Sequence, residues 1–466
     1  MKLANKPVAG WADGSIICPR GIRHNRWGKQ KAYPERCRKD SRPLFSVWFG
    51  IFMRKNAVLF LSIIASTTLC VGSFADESNA ILEAALNKQP GFIKDLRTLV
   101  NIDSGTGNEP GLAKVEAFLV KRLKTFGAKV ETFDSPPAKG KTVVGTLHGH
   151  GTVNLMLMIH YDTVFEPGEA RKRPFRVEGQ KALGPGVADA KGGALIILYA
   201  LDILKRRGFN DYQTLTVLFN PDEEKSSLGS RAIIKDFSSR QDVVLIYEPP
   251  EADQVTVATN GIAWVHLDVT GLASHAGSAP EKGHNAALEL SHQILQLKDL
   301  GDTTKGTTVN WTSLQAGNIE HTNIIPDQAS AVADMRMSDL TELDRVQKDA
   351  TRIIQNRLIT GTETRLTVES RRPPFGKNPA TDNLASLANQ IYAELGKAIK
   401  PVAMRYGTDA GFAYNPNSDK PTVLDGMGIV GNRIHSSDEW ADLDSVPSRI
   451  YLTVRMLETL SQGRAQ

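Results

Sequence analysis

The chain reads as an α/β domain interrupted by a smaller, inserted α+β domain. Three observations predict this. Residues 153–247 contain three short apolar runs that each end in polar residues, with a helical stretch between the first two. After about residue 257 the pattern becomes strand, helix, two strands, helix, strand. From about residue 374 the α/β pattern returns.

The first elements are amphipathic helices at about 79–100 and 112–126. The apolar runs follow. Residues 153–159 (VNLMLMI) lead into His160-Tyr161-Asp162, residues 215–219 (LTVLF) into Asp222-Glu223-Glu224, and residues 243–247 (VVLIY) into Glu248-Pro249. Continuous apolar runs of this length suit strands buried on both faces of a sheet with parallel strands. The Ala/Leu-rich stretch 192–207 is the crossover helix. Open α/β sheets bind ligands beyond the carboxyl ends of their strands, which is where all three polar clusters fall.

Residues 262–270 (IAWVHLDVT) alternate as a half-exposed strand does. A helix at 285–300, strands at 307–316, 329–337 and 363–370, and a helix at 340–357 complete a sandwich-like unit. A helix at 381–395, a short strand at 422–424 and a last helix at 446–460 belong again to the first domain. The domain reading is therefore 76–257 and 374–466 for the α/β domain and 258–373 for the insertion.

Composition narrows the function. The chain is 41% hydrophobic and 23% charged, a globular balance that excludes a disordered chain. The net charge of +5 comes from the start: residues 1–75 carry 13 Lys and Arg against three acids, so the remainder is mildly acidic. A nucleic-acid footprint is not indicated. Cys18, Cys37 and Cys70 all precede residue 76, which leaves the rest without disulfides or thiolate ligands. Residues 53–75 have a basic start, a short apolar centre and a small-residue exit, the layout of a secretory signal peptide; a membrane anchor is the competing reading. Residues 1–52 are then expected to be a non-native upstream extension, with translation starting at Met53.

The polar clusters carry the chemistry. His160 and Asp162 leave a strand end on the same side, and an Asp beside a ligand His can hold its second ring nitrogen. Asp189 sits between glycines in Gly184-Pro185-Gly186-Val187-Ala188-Asp189-Ala190-Lys191-Gly192-Gly193. Read alone it caps a helix. Glu223 and Glu224 are adjacent, so their side chains diverge: one can bind metal while the other faces substrate. Glu248 ends an apolar run, and His435 lies in a polar loop before the last helix. Together His160, Asp189, Glu224, Glu248 and His435 form an N/O donor set for two metal ions, with Glu223 free as a general base.

At this point the chain resembles the M20 metallopeptidases, and within them the glutamate carboxypeptidase branch. The motifs that carry the resemblance are His160-Tyr161-Asp162-Thr163-Val164, the Gly186–Gly193 segment, Asp222-Glu223-Glu224, Glu248-Pro249 and His435-Ser436-Ser437-Asp438-Glu439, in the family's order. It covers about residues 85–460. The resemblance implies a zinc-exopeptidase-like mixed-sheet catalytic domain with an inserted lid and dimerisation domain. It implies two Zn2+ per chain. Asp189 would bridge them, His160 and Glu248 would complete one site, and Glu224 and His435 the other. Glu223 would be the general base, Asp162 would hold the His160 region, and the peptide after Asp189 would be cis. In the lid, Gly271-Leu272-Ala273-Ser274-His275-Ala276-Gly277 resembles the family's histidine motif, which assigns His275 to the oxyanion. Asn323 and Arg336 match the segment that binds the substrate carboxylate, and Gly407 and Thr408 a loop beside the active site.

The function so implied is a secreted, periplasmic, homodimeric zinc exopeptidase. It would release a C-terminal amino acid, glutamate first, from a small peptide or N-acyl amino acid, without a membrane anchor after signal cleavage. An aminoacylase, desuccinylase or dipeptidase of the same family is the alternative. A catalytically silent binding protein is the reading from another class, and an intact Glu223 argues against it.

Overall fold

The computed structural model describes residues 53–463, with side chains from residue 77 onward. The expectation for residues 1–52 lies outside the described residues. The segment 53–75 has helical backbone and belongs to the helix Met53–Val100. Among the described residues no helix is long and apolar enough to cross a membrane. Residues from Leu69 onward form one compact unit.

That first helix buries Ile81, Ala85, Phe92, Leu96 and Leu99. Their spacing of four, seven, four and three residues puts them on one stripe, as the amphipathic pattern leads one to expect. The helix Glu109–Phe126 buries Leu112, Val115, Leu119 and Leu123 in the same way and stops at Gly127, whose φ of 91° only glycine adopts without strain.

The main sheet has six strands in the order Lys129–Asp134, Lys141–His148, Thr214–Asn220, Asn154–His160, Val243–Ile246, Thr422–Leu424. The last four are parallel to one another and the first two are antiparallel additions. The strand that ends in His160 is therefore central, flanked by the strands that lead to Glu223 and Glu248. Leu155, Met156, Leu157, Met158 and Ile159 are all buried, because helices cover both faces. The crossover helix Lys191–Arg206 buries nearly every residue of its first three turns.

The inserted segment forms a separate four-stranded antiparallel sheet in the order Thr308–Ala316, Gln328–Met337, Gly261–Thr270, Glu363–Arg372. Ala263, Val265, Leu267 and Val269 point inward and alternate with half-exposed or exposed residues. Helices Ala286–Gln296 and Thr341–Ile353 cover that inner face and share its core through Leu290 and Val346. At the junction Thr259 and Phe375 exchange two backbone hydrogen bonds, 2.9 and 3.1 Å, which ties the chain entering the inserted segment to the chain leaving it.

Some elements differ from the sequence reading. The antiparallel pair Lys129–Asp134 and Lys141–His148 has no counterpart there, since the first strand is half polar and mostly exposed. A small sheet joins Gly431–Asn432, Trp440–Asp442, Lys181–Leu183 and Arg176–Glu178. Its strands have two or three residues each, too few to show a period.

Candidate active site

The carboxyl ends of the three central strands converge. His160 is the last residue of its strand, Asn220 the last of the neighbouring one, and Glu248 stands two residues past Ile246. Glu223–Lys225 is a single tight turn just beyond Asn220. Asp189 precedes the crossover helix, where the helix dipole favours a negative group. His435 reaches in from the loop between the two short strands Gly431–Asn432 and Trp440–Asp442. It holds a left-handed conformation, φ 60°, as does Arg433 at 57°. That costs a non-glycine residue on the order of 1–2 kcal/mol, which the contacts of the loop must offset.

Asp189 is the centre of the cluster. Its Oδ1 lies 2.9 Å from His160 Nε2, and its Oδ2 lies 3.2 Å from His435 Nε2. Glu248 Oε2 is 3.7 Å from the same His160 nitrogen, and Glu224 Oε2 is 3.1 Å from the same His435 nitrogen. One carboxylate thus faces two histidine–glutamate pairs, one with each oxygen. Ligand atoms of His160, Asp189 and Glu224 lie within 4.8 Å of one another. The peptide after Asp189 is cis.

Electrostatics describe the same centre. Burial disfavours charge on His160, yet Glu248, Asp162 and Asp189 around it hold its pKa well above the ordinary histidine value. Hydrogen bonds to Asp189 and Glu224 push His435 up to about 11. Burial, with Asp189 adding to it, pushes Glu224 up to about 8, and burial raises Glu248 well above the carboxylate range. Asp189 is buried too, but its bonds to the two histidines hold it below the usual range. Three carboxylates crowded against two imidazoles therefore repel one another unless positive charge stands between them. Glu224 Oε1 is buried without a hydrogen-bond partner. An orphaned carboxylate oxygen, two imidazole nitrogens and two further carboxylates are the donors that a divalent cation such as zinc takes, so these residues fit a metal centre.

Asp162, fully buried, organises the surroundings. Its Oδ1 is 3.2 Å from His160 Nδ1 and accepts the Glu223 N–H at 3.1 Å; its Oδ2 accepts the Glu224 N–H at 3.3 Å and the Thr106 hydroxyl at 2.5 Å. It thus orients both the imidazole and the turn that carries the two glutamates.

The other residues singled out in the sequence are placed differently. The Thr408 hydroxyl is buried and donates to Asp425 at 2.7 Å, and the Gly407 carbonyl accepts from Arg372 at 3.2 Å. Arg336 directs its guanidinium to Asp334 on its own strand, at 2.7 and 3.0 Å. His275 pairs through its strand with Ile324, next to Asn323. Among the described residues no hydrogen bond or ion pair joins His275, Asn323 or Arg336 to the cluster.

Sequence reasoning overlooked three participants. Arg372 closes the last strand of the insertion, and its guanidinium bonds the Glu223 carboxylate and, at 2.8 Å, the Glu223 carbonyl. Its only sequence signal is a pair of arginines before Pro373-Pro374 at the domain junction. Glu439 lies inside a quoted motif but received no role there. Thr106 had no signal at all.

A mixed sheet with this constellation at its carboxyl edge defines a metal-dependent hydrolase. The chain belongs to peptidase family M20/M25/M40, whose pattern matches residues 156–459. It is 39% identical over 412 residues to carboxypeptidase G2 of Pseudomonas sp. (strain RS-16), covering 88% of this chain and 97% of that protein. Similar solved structures include aminopeptidase PepT from Bacillus cereus (TM-score 0.65, 20% identity, 79% of this chain and 98% of that one). An M20 family metallo-carboxypeptidase from Sulfolobus solfataricus has a TM-score of 0.64 at 15% identity, covering 80% and 99%. These two likenesses concern the fold. The chain is therefore a metallopeptidase-family hydrolase acting on peptide bonds, similar to the carboxypeptidases of that family.

Proposed function

We propose that this protein is a zinc-dependent carboxypeptidase that releases a C-terminal amino acid, glutamate foremost, from small peptides or N-acyl amino acids. The observation that carries the metal reading is Asp189, with one carboxylate oxygen toward His160 and the other toward His435. His160, Asp189 and Glu248 would hold one zinc ion, and Glu224, Asp189 and His435 a second. Bound zinc supplies a Lewis acid that acidifies water and polarises the scissile carbonyl.

The chain's own residues do the rest. Glu223 takes a proton from the attacking water and delivers it to the leaving amine nitrogen. Asp162 keeps His160 oriented and anchors the turn on which Glu223 stands. His275 Nδ1 accepts N–H bonds from Gly277 and Ser278, both at 3.1 Å, so the neutral ring carries its proton on Nε2. That exposed Nε2–H is the donor for the oxyanion of the tetrahedral intermediate. Asn323 and Arg336 take the substrate carboxylate, for which Arg336 exchanges Asp334 for the ligand, and Gly407 and Thr408 bind substrate from their loop beside the active site. These assignments need the segment 258–373 to act as a lid over the domain built from 76–257 and 374–466.

The same reading includes secretion to the periplasm by the segment 53–75, translation from Met53, and a homodimer through the insertion. The outer strand Thr308–Ala316 supports the dimer, as an edge strand with Leu314 56% exposed. Carboxypeptidase G2 gives the leading activity by its 39% identity. A panel of N-acyl-glutamates, N-acyl-leucine and dipeptides tests the specificity, with release of glutamate expected to have the highest kcat/KM. Equal rates on N-acyl-leucine would overturn the glutamate assignment. Glu223→Gln should keep its metal and lose about 100- to 10,000-fold in kcat; full turnover would overturn the mechanism.

A further inference from the structure

Two loops must meet for the centre to form, and one side chain stands where they diverge. The strand Trp440–Asp442 runs between two partners. Trp440 pairs with Leu183 on one side and with Asn432 on the other. Leu183 is followed by the turn to Asp189, and Asn432 by the loop to His435. Glu439 immediately precedes Trp440, and it is 1% exposed. Its Oε2 accepts the N–H of Gly186 at 2.8 Å, and its Oε1 accepts those of Ala188 at 2.9 Å and Asp189 at 3.0 Å. Gly186 has φ 72°, a left-handed turn that bends these N–H groups into one anion cradle.

We propose that Glu439 is the positioning residue of the metal centre: its carboxylate, clamped by the N–H groups of Gly186, Ala188 and Asp189, fixes the shared ligand Asp189 relative to the loop of His435. This rests on the reading of Asp189 as the bridging ligand. A bridging carboxylate must serve two partners at once, 2.9 and 3.2 Å away on opposite sides. Displacing it toward one withdraws it from the other, and metal sites tolerate only about 0.5 Å of such error. The N–H of Asp189 itself is one of the three donors, so the clamp acts on the ligand residue and not only on its surroundings. Because Glu439 is four residues from His435, the same side chain registers both loops.

Glu439→Gln keeps the volume but turns an NH2 group toward backbone N–H donors, and Glu439→Asp keeps the charge on a shorter arm. Metal affinity is measured by competition with a chelator, metal stoichiometry by elemental analysis, coordination by the visible spectrum of the cobalt-loaded protein, and folding by the Tm of the metal-free protein. The expected result is a folded Gln variant with metal affinity about 10- to 100-fold weaker and a changed cobalt spectrum, and a smaller loss for Asp. Should the Gln variant not fold, the Asp variant decides. A folded variant with wild-type affinity and spectrum overturns the proposal, whatever its Tm. Asp189→Asn is measured alongside. If it too keeps wild-type stoichiometry, the reading of Asp189 has failed. If it loses metal while the Glu439 variants do not, only the role of Glu439 has.

Discussion

Arg372 holds Glu223 by both its carboxylate and its carbonyl oxygen, so a side chain from the last residue of the inserted sheet grips the residue assigned as general base. The Arg372 side chain is 3% exposed, and Asp409 Oδ1 stands 3.7 Å from the same Nη1 that meets Glu223. Asp409 is in turn held by Ser227 at 2.5 Å and Asn220 at 2.7 Å. The polar chain therefore runs from the four-stranded sheet of the inserted segment into the end of a central strand.

Arg372→Met removes the guanidinium that faces both Glu223 and Asp409. Breaking a buried pair from one side costs about 3–5 kcal/mol, because the partner charge stays behind. Thermal unfolding should show a Tm lower by at least several degrees, and kcat should fall as well, since Glu223 loses its orientation. A variant with unchanged Tm would show that the pair contributes nothing.

How much of this was legible in the sequence depends on the periodicity available. The strands that lead to His160, Glu223 and Glu248 are continuous apolar runs, and such runs identify themselves. The five metal-binding candidates stand at their ends or in glycine-marked loops, and the structure brings all five together. The strand Lys129–Asp134 escaped because a half-polar edge strand has no apolar period. Arg372 escaped because its partners Glu223 and Asp409 are 149 and 37 positions away along the chain, and only the return of the inserted domain brings them together. Thr408 matched a motif by identity, but its hydroxyl direction, toward Asp425, is a property of the packing alone.

Removal of metal should make stability depend on pH in a defined direction. Glu224 has a pKa raised to about 8 from an ordinary 4.5, and His435 one raised to about 11 from 6.5. In both cases the folded chain binds more protons than the unfolded one across the interval between the two values. Stability then falls with rising pH, from about 4.5 for Glu224 and from about 6.5 for His435. Asp189 is shifted the other way, so its contribution is lost only in acid. Metal binds best to deprotonated ligands and adds to stability by mass action. The Tm of chelator-treated protein should therefore drop from pH 5 to 9, and its gap from the zinc-loaded protein should widen. Parallel curves for the two forms would contradict the assigned ligands.

Gly193 lies where the crossover helix passes close to Tyr247, just beyond the strand that leads to Glu248. A Cβ there would lie 2.2 Å from the Tyr247 carbonyl oxygen, and a backbone atom cannot swing aside. Gly193→Ala should cost about 1–3 kcal/mol as an overpacking substitution. It should also weaken metal binding, because Gly193 is four residues from Asp189 and Tyr247 adjoins Glu248. Thermal unfolding and a zinc titration of the variant check the two effects separately. A stable variant with native zinc affinity would mean that the helix retreats without moving either carboxylate.

His275 provides the sharpest test of the lid assignment, since it stands on the inserted segment and, among the described residues, no hydrogen bond or ion pair joins it to the metal-binding cluster. Two N–H groups on Nδ1 fix its tautomer, so the Nε2–H of this exposed residue is a donor. A donor that acts only on the oxyanion lowers the barrier without adding to ground-state binding. His275→Ala should then reduce kcat by about 100- to 1,000-fold, while KM and zinc content stay near those of the parent. His275→Gln offers an amide N–H on a side chain of similar reach and should recover part of the loss. A fall in zinc content in the Ala variant would place His275 among the metal-binding residues, and a rise in KM with kcat unchanged would make it a substrate-binding residue; either outcome would remove it from the oxyanion role.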